Sequence, residues 1–435
     1  MFNFSFFING QQGYRFLKKN SKRERVKFKL INNLIIIPLK INDKKMSFIL
    51  DSGVSKTILF NISSNDSIGL NNVETVKLQG LGSGSSVDAL LSKNNKVSLK
   101  KIVNFNETIY VILKDYFDLS AKMGVTIHGI LGYDLLKNFV VKINYNTKNI
   151  DFYNPDNFDA PTCRKCETFP ITFHRKKPYI NTKVQLDTVN NKLTKVKLLI
   201  DTGGSDAIWL FEHTKKEIKT PKLFFKDILG EGLSGPIYGN RSRIPKMQFG
   251  KFNIKTPTVS FLDSISTKNA RNIKDRNGSI GAGILKRFIL WFDYKNKKLT
   301  IKKKGSLTRG FNYNMSGLDV VYNGKQLVRE EDLRTVSDAF NQNINQNNSV
   351  NFISSFSYKF KPSFRIRNVV EGSPADKAGL QEGDIILRIN NTPAYELTLQ
   401  KLIQRFQEKD NKRIRMTIER NGVRMKFEFR LLKKV

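Results

Sequence analysis

Two stretches of the chain, MSFILDSGVSKTILF at 46–60 and VKLLIDTGGSDAIWLF at 196–211, repeat one pattern. In each, an apolar run ends in Asp-Ser/Thr-Gly, a residue and a serine follow, and a second apolar run begins. A carboxylate at the end of a buried strand costs free energy unless something compensates it, so each aspartate asks for a partner. Asp51 and Asp201 stand 150 positions apart. Downstream blocks keep that spacing. Gly80-Leu81-Gly82 matches Gly230-Glu231-Gly232 at 150, and ILGYDLLKNFVVKINYNTKNIDFY (130–153) matches SIGAGILKRFILWFDYKNKKLTI (279–301) at 149. Three blocks in one order and nearly one register mark an internal repeat.

The repeat divides the chain as an N-terminal extension (1–25), a first unit (26–155), a Pro-bearing linker (156–167) and a second unit (168–304). Each unit reads mostly as strands. NNLIIIPLKIN and KPYINTKVQL are β-rich runs leading into hairpins, with NDKKM as a turn in the first. DLLKNFVV and GILKRFIL read as short helices entering a strand, and INYNTKNIDFY and FDYKNKKLTI as hairpins with Asn/Lys turns. The expected fold is mainly β: two small closed lobes, each with one short helix.

If the units pack about a pseudo-two-fold axis, Asp51 and Asp201 reach the same place. Two adjacent carboxylates cannot both ionise cheaply, so they share a proton and their titrations split. One then accepts a proton from a water between them and the other donates to a carbonyl. Ser52 and Thr202 supply hydroxyls that bond across the pair, and Gly53 and Gly203 let backbone N–H groups approach and tolerate positive φ in the turn. Both halves of the site lie in one chain, so a monomer suffices for catalysis.

These residues resemble the retropepsin-like aspartic proteases, with two lobes fused as in pepsin-type enzymes. LDSG and IDTG carry the likeness, each followed by an apolar-apolar-Gly signature, Ile130-Leu131-Gly132 and Ser279-Ile280-Gly281. The resemblance spans 26–304 and implies that each signature threads beside a catalytic turn. It implies no metal and no cofactor, and a polypeptide substrate. It further implies glycine-rich flaps over the cleft, with Gly80, Gly82 and Gly84 in one half and Gly230, Gly232 and Gly235 in the other. Departures are Ser52 where Thr is commoner, Val54 where Ala or Ser is usual, Asp134 opposite Gly283, and Ser279 in the second signature. The competing reading is a catalytically silent cleft that binds peptides.

From 305 the repeat ends. GSLTRGFNYNMSG reads as a linker and NQNINQNNSVN (341–351) as a polar loop, so 305–355 is expected to connect. Residues 356–435 resemble a PDZ domain of bacterial type, on Gly372-Ser373-Pro374-Ala375, Ala378-Gly379-Leu380, Gly383-Asp384-Ile385-Ile386 and Ile389-Asn390. The resemblance implies strand addition of a peptide or chain end between a strand at 364–370, with Arg365, Ile366 and Arg367, and a helix bearing Leu399, Leu402 and Ile403. SYKFKPSF at 357–364 contains no glycine-bearing carboxylate loop.

Bulk properties narrow the rest. The formal charge is +37, from 75 Lys+Arg against 38 Asp+Glu. The cations are spread along the whole chain with no basic arm, zinc-finger spacing or RNA-binding aromatic motif, which argues against nucleic acid as partner. No apolar run reaches the roughly 18 residues of a membrane span. No leader pattern is visible in 1–19, and the compartment stays open, with a cell-envelope setting suggested by the resemblance alone. Cys163 and Cys166 form a lone CxxC with no second ligand pair, and are expected to be incidental surface thiols. Three scattered histidines argue against a histidine-based hydrolase.

Overall fold

The computed structural model describes residues 13–62, 68–78, 86–113, 118–189, 191–232, 235–263, 267, 275–308, 310–336 and 351–435. The chain divides into two compact units, one of residues 1–119, 125–313 and 434–435, the other of 120–124 and 314–433.

The first unit is mainly β and is built on two large sheets and one smaller one. In the first large sheet the central order is Thr57–Leu59, Gly129–Leu131, Lys44–Leu50, Leu34–Ile41. In the second it is Ile208–Phe211, Arg276–Ile280, Leu193–Ile200, Lys177–Gln185. Hairpin chemistry sets these strands locally. Asn32-Asn33, Asn42-Asp43 and Arg175-Lys176 all have positive φ at both positions, the geometry that two-residue hairpin turns require. Register then follows the apolar pattern: Leu34, Ile35, Ile36 and Ile37 are all buried, and the strand becomes half-solvated from Pro38 onward.

The short helices expected before the terminal hairpins are present at Tyr133–Leu136 and Ala282–Leu285. Their hairpins do not close each half separately. Val140–Asn144 pairs antiparallel with Phe288–Asp293, fusing both hairpins into a six-stranded sheet. Each half thus has a large sheet of its own, and the two halves share a third. The reason is burial: Val140, Ile289 and Trp291 are apolar on the face that the pairing covers. One continuous core includes Phe48 and Leu50 from the first sheet, Leu198 and Ile200 from the second, and Phe152 and Phe292 from the shared one.

Three points differ from the expectations drawn from the sequence. Arg23–Lys27, placed at the edge of an extension, pairs with Asn149–Tyr153 in the shared sheet, and Arg15–Phe16 pairs with Ile102–Val103. Cys163 and Cys166 are joined in a disulfide rather than being incidental thiols, brought together by a turn in which the Cys166 N–H donates to the Cys163 carbonyl. The stretch 305–355 is no simple connection. Leu318–Val336 forms a long strand paired with Asn351–Val369, and its start is held by burial of Leu318, Val320 and Val321 along with Phe364 and Ile366.

The second unit is a sheet in the order Leu318–Val336, Asn351–Val369, Ile385–Ile389, Arg413–Arg420, Val423–Arg430, with the helix Leu399–Arg405 beside it. Thr398 caps that helix by accepting from the Lys401 N–H, and Asn421-Gly422 makes the last hairpin turn with φ of 49° and 79°. Among the described residues no helix is long and apolar enough to cross a membrane.

Candidate active site

Each Asp-Ser/Thr-Gly turn is held by the strand that follows it much later in sequence. The Asp51 N–H donates to the Leu131 carbonyl at 2.9 Å, and the Asp201 N–H to the Ile280 carbonyl at 3.0 Å. Leu131 lies opposite Leu50 and Ile280 opposite Ile200, both in parallel register. The glycine ending each signature permits this threading. A Cβ on Gly132 would stand 2.2 Å from the Asp51 carbonyl oxygen, and one on Gly281 2.4 Å from that of Asp206. Ile130, Leu131, Gly132, Ile280 and Gly281 thus sit beside the turns, and Ser279 is buried in the same strand as Ile280.

The two turns are laced together. The Ser52 N–H donates to Thr202 Oγ1 at 2.9 Å and the Thr202 N–H to Ser52 Oγ at 3.1 Å. Each hydroxyl then donates onward, Ser52 Oγ to the Ile200 carbonyl at 2.7 Å and Thr202 Oγ1 to the Leu50 carbonyl at 2.9 Å. Both side chains are buried, at 0% and 1% exposure, so every group in this exchange depends on its protein partner.

The lacing sets the carboxyls of Asp51 and Asp201 side by side, so that a Cβ on Gly53 would stand within 3.2 Å of an oxygen of each. Each also accepts a backbone N–H within its own turn, Asp51 from Gly53 at 2.6 Å and Asp201 from Gly203 at 3.0 Å. Neither glycine has positive φ, contrary to the expectation from sequence. Their role is close approach: a Cβ on Gly203 would fall 2.2 Å from Asp51 Cγ, and one on Gly53 3.1 Å from Asp51 Oδ1.

Burial pushes the Asp51 carboxyl up, and the neighbouring Asp201 charge pushes it further. Burial also raises Asp201, but Arg276 and Lys177 oppose the rise. These two cations carry no sequence signal. Arg276 is buried with its guanidinium 4.9 Å from the Phe211 ring centroid and 5.8 Å from that of Tyr179. Lys177 opens the strand Lys177–Gln185, and burial lowers its ammonium.

Gly80, Gly82 and Gly84 lie outside the described residues. Their counterparts form a hairpin, Phe225–Gly232 against Gly235–Arg243, with Gly232 facing Gly235 and Gly235 at φ 103°. Gly230 lies on this hairpin, and a Cβ there would stand 3.9 Å from the Trp209 indole. The hairpin's base is fixed by Arg241, which bridges Asp206 and Asp227, while Trp209 Nε1 and Ser260 Oγ also donate to Asp206. Nothing in the motif reading singled out this network.

Residues 37–135 match the family model described as aspartyl protease, and residues 365–420 match that of a PDZ domain. The chain carries an aspartyl protease domain and a PDZ domain. The protease match includes Asp51 and ends before Asp201. No curated protein matches the chain. Among the described residues no cluster of His, Cys, Asp and Glu could hold a metal ion.

In the PDZ unit the groove expected along 364–370 is not available. Arg365 is paired on both sides, with Val321 and with Ile385, and Ile366 is fully buried. Arg367 is tied to Asp319 across the strands. Leu399 and Leu402 are buried, with Ile403 half-buried. The edge strand is instead Leu318–Val336, against which the helix Leu399–Arg405 packs. It is preceded by a glycine-bearing turn. Leu318 N–H donates to Ser316 Oγ at 3.0 Å, Asn314 Nδ2 to the Leu318 carbonyl at 2.6 Å, and Gly317 takes φ 85°. The expectation of a connection over 305–355 hid this turn and this edge strand.

Proposed function

We propose that the chain is an aspartic endopeptidase in which Asp51 and Asp201 share one proton and activate a water between them. The ionised carboxylate takes a proton from the water as its oxygen attacks the peptide carbonyl carbon. The protonated carboxyl gives its proton to the carbonyl oxygen, forming a gem-diol. Collapse of that intermediate with proton transfer to the nitrogen releases the amine and a carboxylic acid. Ser52 and Thr202 act as positioning residues that hold the turns in register. The hairpin 225–243 serves as a flap over the cleft. The two halves are read as duplicated lobes about a pseudo-two-fold axis, spanning 26–155 and 168–304.

The observation that carries this reading is the reciprocal exchange between Ser52 and Thr202, which sets two buried carboxyls against each other. A structural ion pair would place a cation between them; two carboxyls buried side by side cost stability and are retained for chemistry. The PDZ domain, a peptide-binding module, then docks substrate or regulates access, with the edge strand from Leu318 and the helix Leu399–Arg405 as its groove walls.

The test is cleavage of an unfolded protein across pH 3–8 by wild type, Asp51→Asn and Asp201→Asn. Each substitution is expected to abolish cleavage, and a pepstatin-type transition-state mimic is expected to block the wild type. Full activity in either variant would sink the shared-proton mechanism. Tight inhibitor binding without cleavage of any polypeptide would favour the silent-cleft reading.

A further inference from the structure

A cavity of about 780 Å³ lies beside the first Asp-Ser-Gly turn, and its wall is cationic. Lys56, Lys93, Lys137, Arg175 and Lys176 all line it. Two of these are already neutralised: Lys93 by Glu74 at 2.8 Å and Lys137 by Asp134 at 2.7 Å. Lys56, Arg175 and Lys176 have no carboxylate within ion-pair distance among the described residues. Lys56 Nζ rests 4.1 Å from the Tyr110 ring centroid and Lys176 Nζ 5.6 Å from that of Tyr133, contacts that fix the ammonium groups without cancelling their charge. The one other acid in the wall, Glu107, is buried and already engaged by Thr57 and Asn104. Burial raises its carboxyl to about 7, so it offers these cations little negative charge.

The placement ties this cavity to the candidate active site. Ser55 and Lys56 follow Asp51 by four and five residues on the same loop, so Ser55 is at most about 14 Å of chain from Asp51. Arg175 and Lys176 form the hairpin turn immediately before Lys177, whose charge bears on both aspartates. The volume lies in the range of sites that enclose a sizeable ligand, well above what a single small anion fills. An extended polypeptide held at the aspartates advances about 3.4 Å per residue and reaches this distance within two to four residues.

We propose that this cavity is the subsite that takes an acidic side chain, Asp or Glu, of the bound polypeptide, with Lys56, Arg175 and Lys176 as the groups that recognise its carboxylate. The inference rests on the protease reading for its placement, and names the substrate class of that site: chains carrying a carboxylate two to four residues from the scissile bond.

The experiment pairs peptides that differ only by Glu or Gln at each such position, with wild type and Lys56→Gln/Lys176→Gln. Wild type is expected to favour the Glu peptide at one position by about tenfold in kcat/KM, as loss of a charge-assisted hydrogen bond implies. The double variant is expected to bring that ratio close to one. Cleavage with no Glu/Gln preference at any position overturns the proposal and leaves the protease reading standing. If neither peptide is cleaved, the protease reading fails, and equilibrium binding of the same fluorescent peptides decides the subsite. A Glu preference lost in the double variant supports it, and equal binding overturns it. Inorganic phosphate competing at millimolar concentration without any Glu/Gln discrimination would mark a free-anion site and overturn it as well.

Discussion

Replacing Thr202 by valine isolates the hydroxyl that holds the two turns together, because the side-chain shape is kept. Two buried groups lose their partner: the Ser52 N–H, which donates to Thr202 Oγ1, and the Leu50 carbonyl, which accepts from it. Thr202 is 1% exposed, so water does not replace either contact. Each orphaned buried group costs about 1–3 kcal/mol, giving roughly 2–6 kcal/mol for the variant. Thr202→Ser keeps the hydroxyl and loses only a methyl group, for about 1 kcal/mol. Both tryptophans, Trp209 and Trp291, belong to the unit that contains the turns, so tryptophan fluorescence in urea reports on this unit alone. The valine variant is expected to unfold about 1 M earlier than the serine variant, with a slope of a few kcal/mol per molar. Coincident midpoints would show that the exchange is dispensable and does not set the carboxyls in place.

Gly203→Ala would drive a methyl group to 2.2 Å from Asp51 Cγ, and is expected to lower kcat/KM by about 100-fold or more. Gly204→Ala, whose nearest neighbour would be 3.3 Å away, is expected to retain most activity, and equal losses would refute the close-packing account. Glu107 has its carboxyl raised to about 7 from 4.5, so the folded state binds more protons than the unfolded state between those values. Stability is therefore greatest below about 4.5 and falls by about 3 kcal/mol as pH rises through 7. Glu107→Gln should flatten that part of the urea-midpoint profile, and an unchanged slope would exclude Glu107 as its source. In the PDZ unit Arg420 donates twice to the buried Asp384, at 2.7 and 2.8 Å. Arg420→Met should cost about 3–5 kcal/mol, read as faster amide exchange in Ile385–Ile389, and unaltered exchange would refute it.

Much of this could be read from the chain because its signals are local or repeated. Asp51 and Asp201 announce themselves by identical neighbourhoods 150 residues apart, and the glycines of both signatures mark approaches that a Cβ would block. Asn42-Asp43 and Asn421-Gly422 are turn chemistry that acts within a few residues. What escaped depends on distant partners. Arg276 is one arginine among many cations until the fold buries it near Asp201. Glu107 looks like a surface glutamate in NFNETIY, yet Thr57 and Asn104 hold it inside. The strand from Leu318 was masked by its neighbours: a glycine-, asparagine- and serine-rich approach reads as a connection, although the β-branched and aromatic residues of LDVVY that follows are those of a strand.

The two Asp-Ser/Thr-Gly turns are nearly identical in sequence, yet a shared-proton mechanism needs them to differ at any instant. Two equivalent buried carboxyls would hold the proton equally often, and neither role would be fixed before the substrate arrives. The difference comes from outside the motif. Arg276 and Lys177 both belong to the second half, and both lower Asp201 against the burial that raises it. Asp51 is raised by burial and by Asp201, and among its opposing influences a cation, Lys177, ranks below the Gly53 N–H. Within the proposed mechanism, these cations favour ionisation of Asp201 and leave the proton on Asp51. On this account Asp201 takes the proton of the attacking water and Asp51 protonates the carbonyl. Removing the Arg276 charge with Arg276→Met should raise the acidic limb of the pH–rate profile, because Asp201 would then hold its proton to higher pH. A limb that stayed in place, in a variant whose urea midpoint matched wild type, would mean that the asymmetry between the turns arises elsewhere.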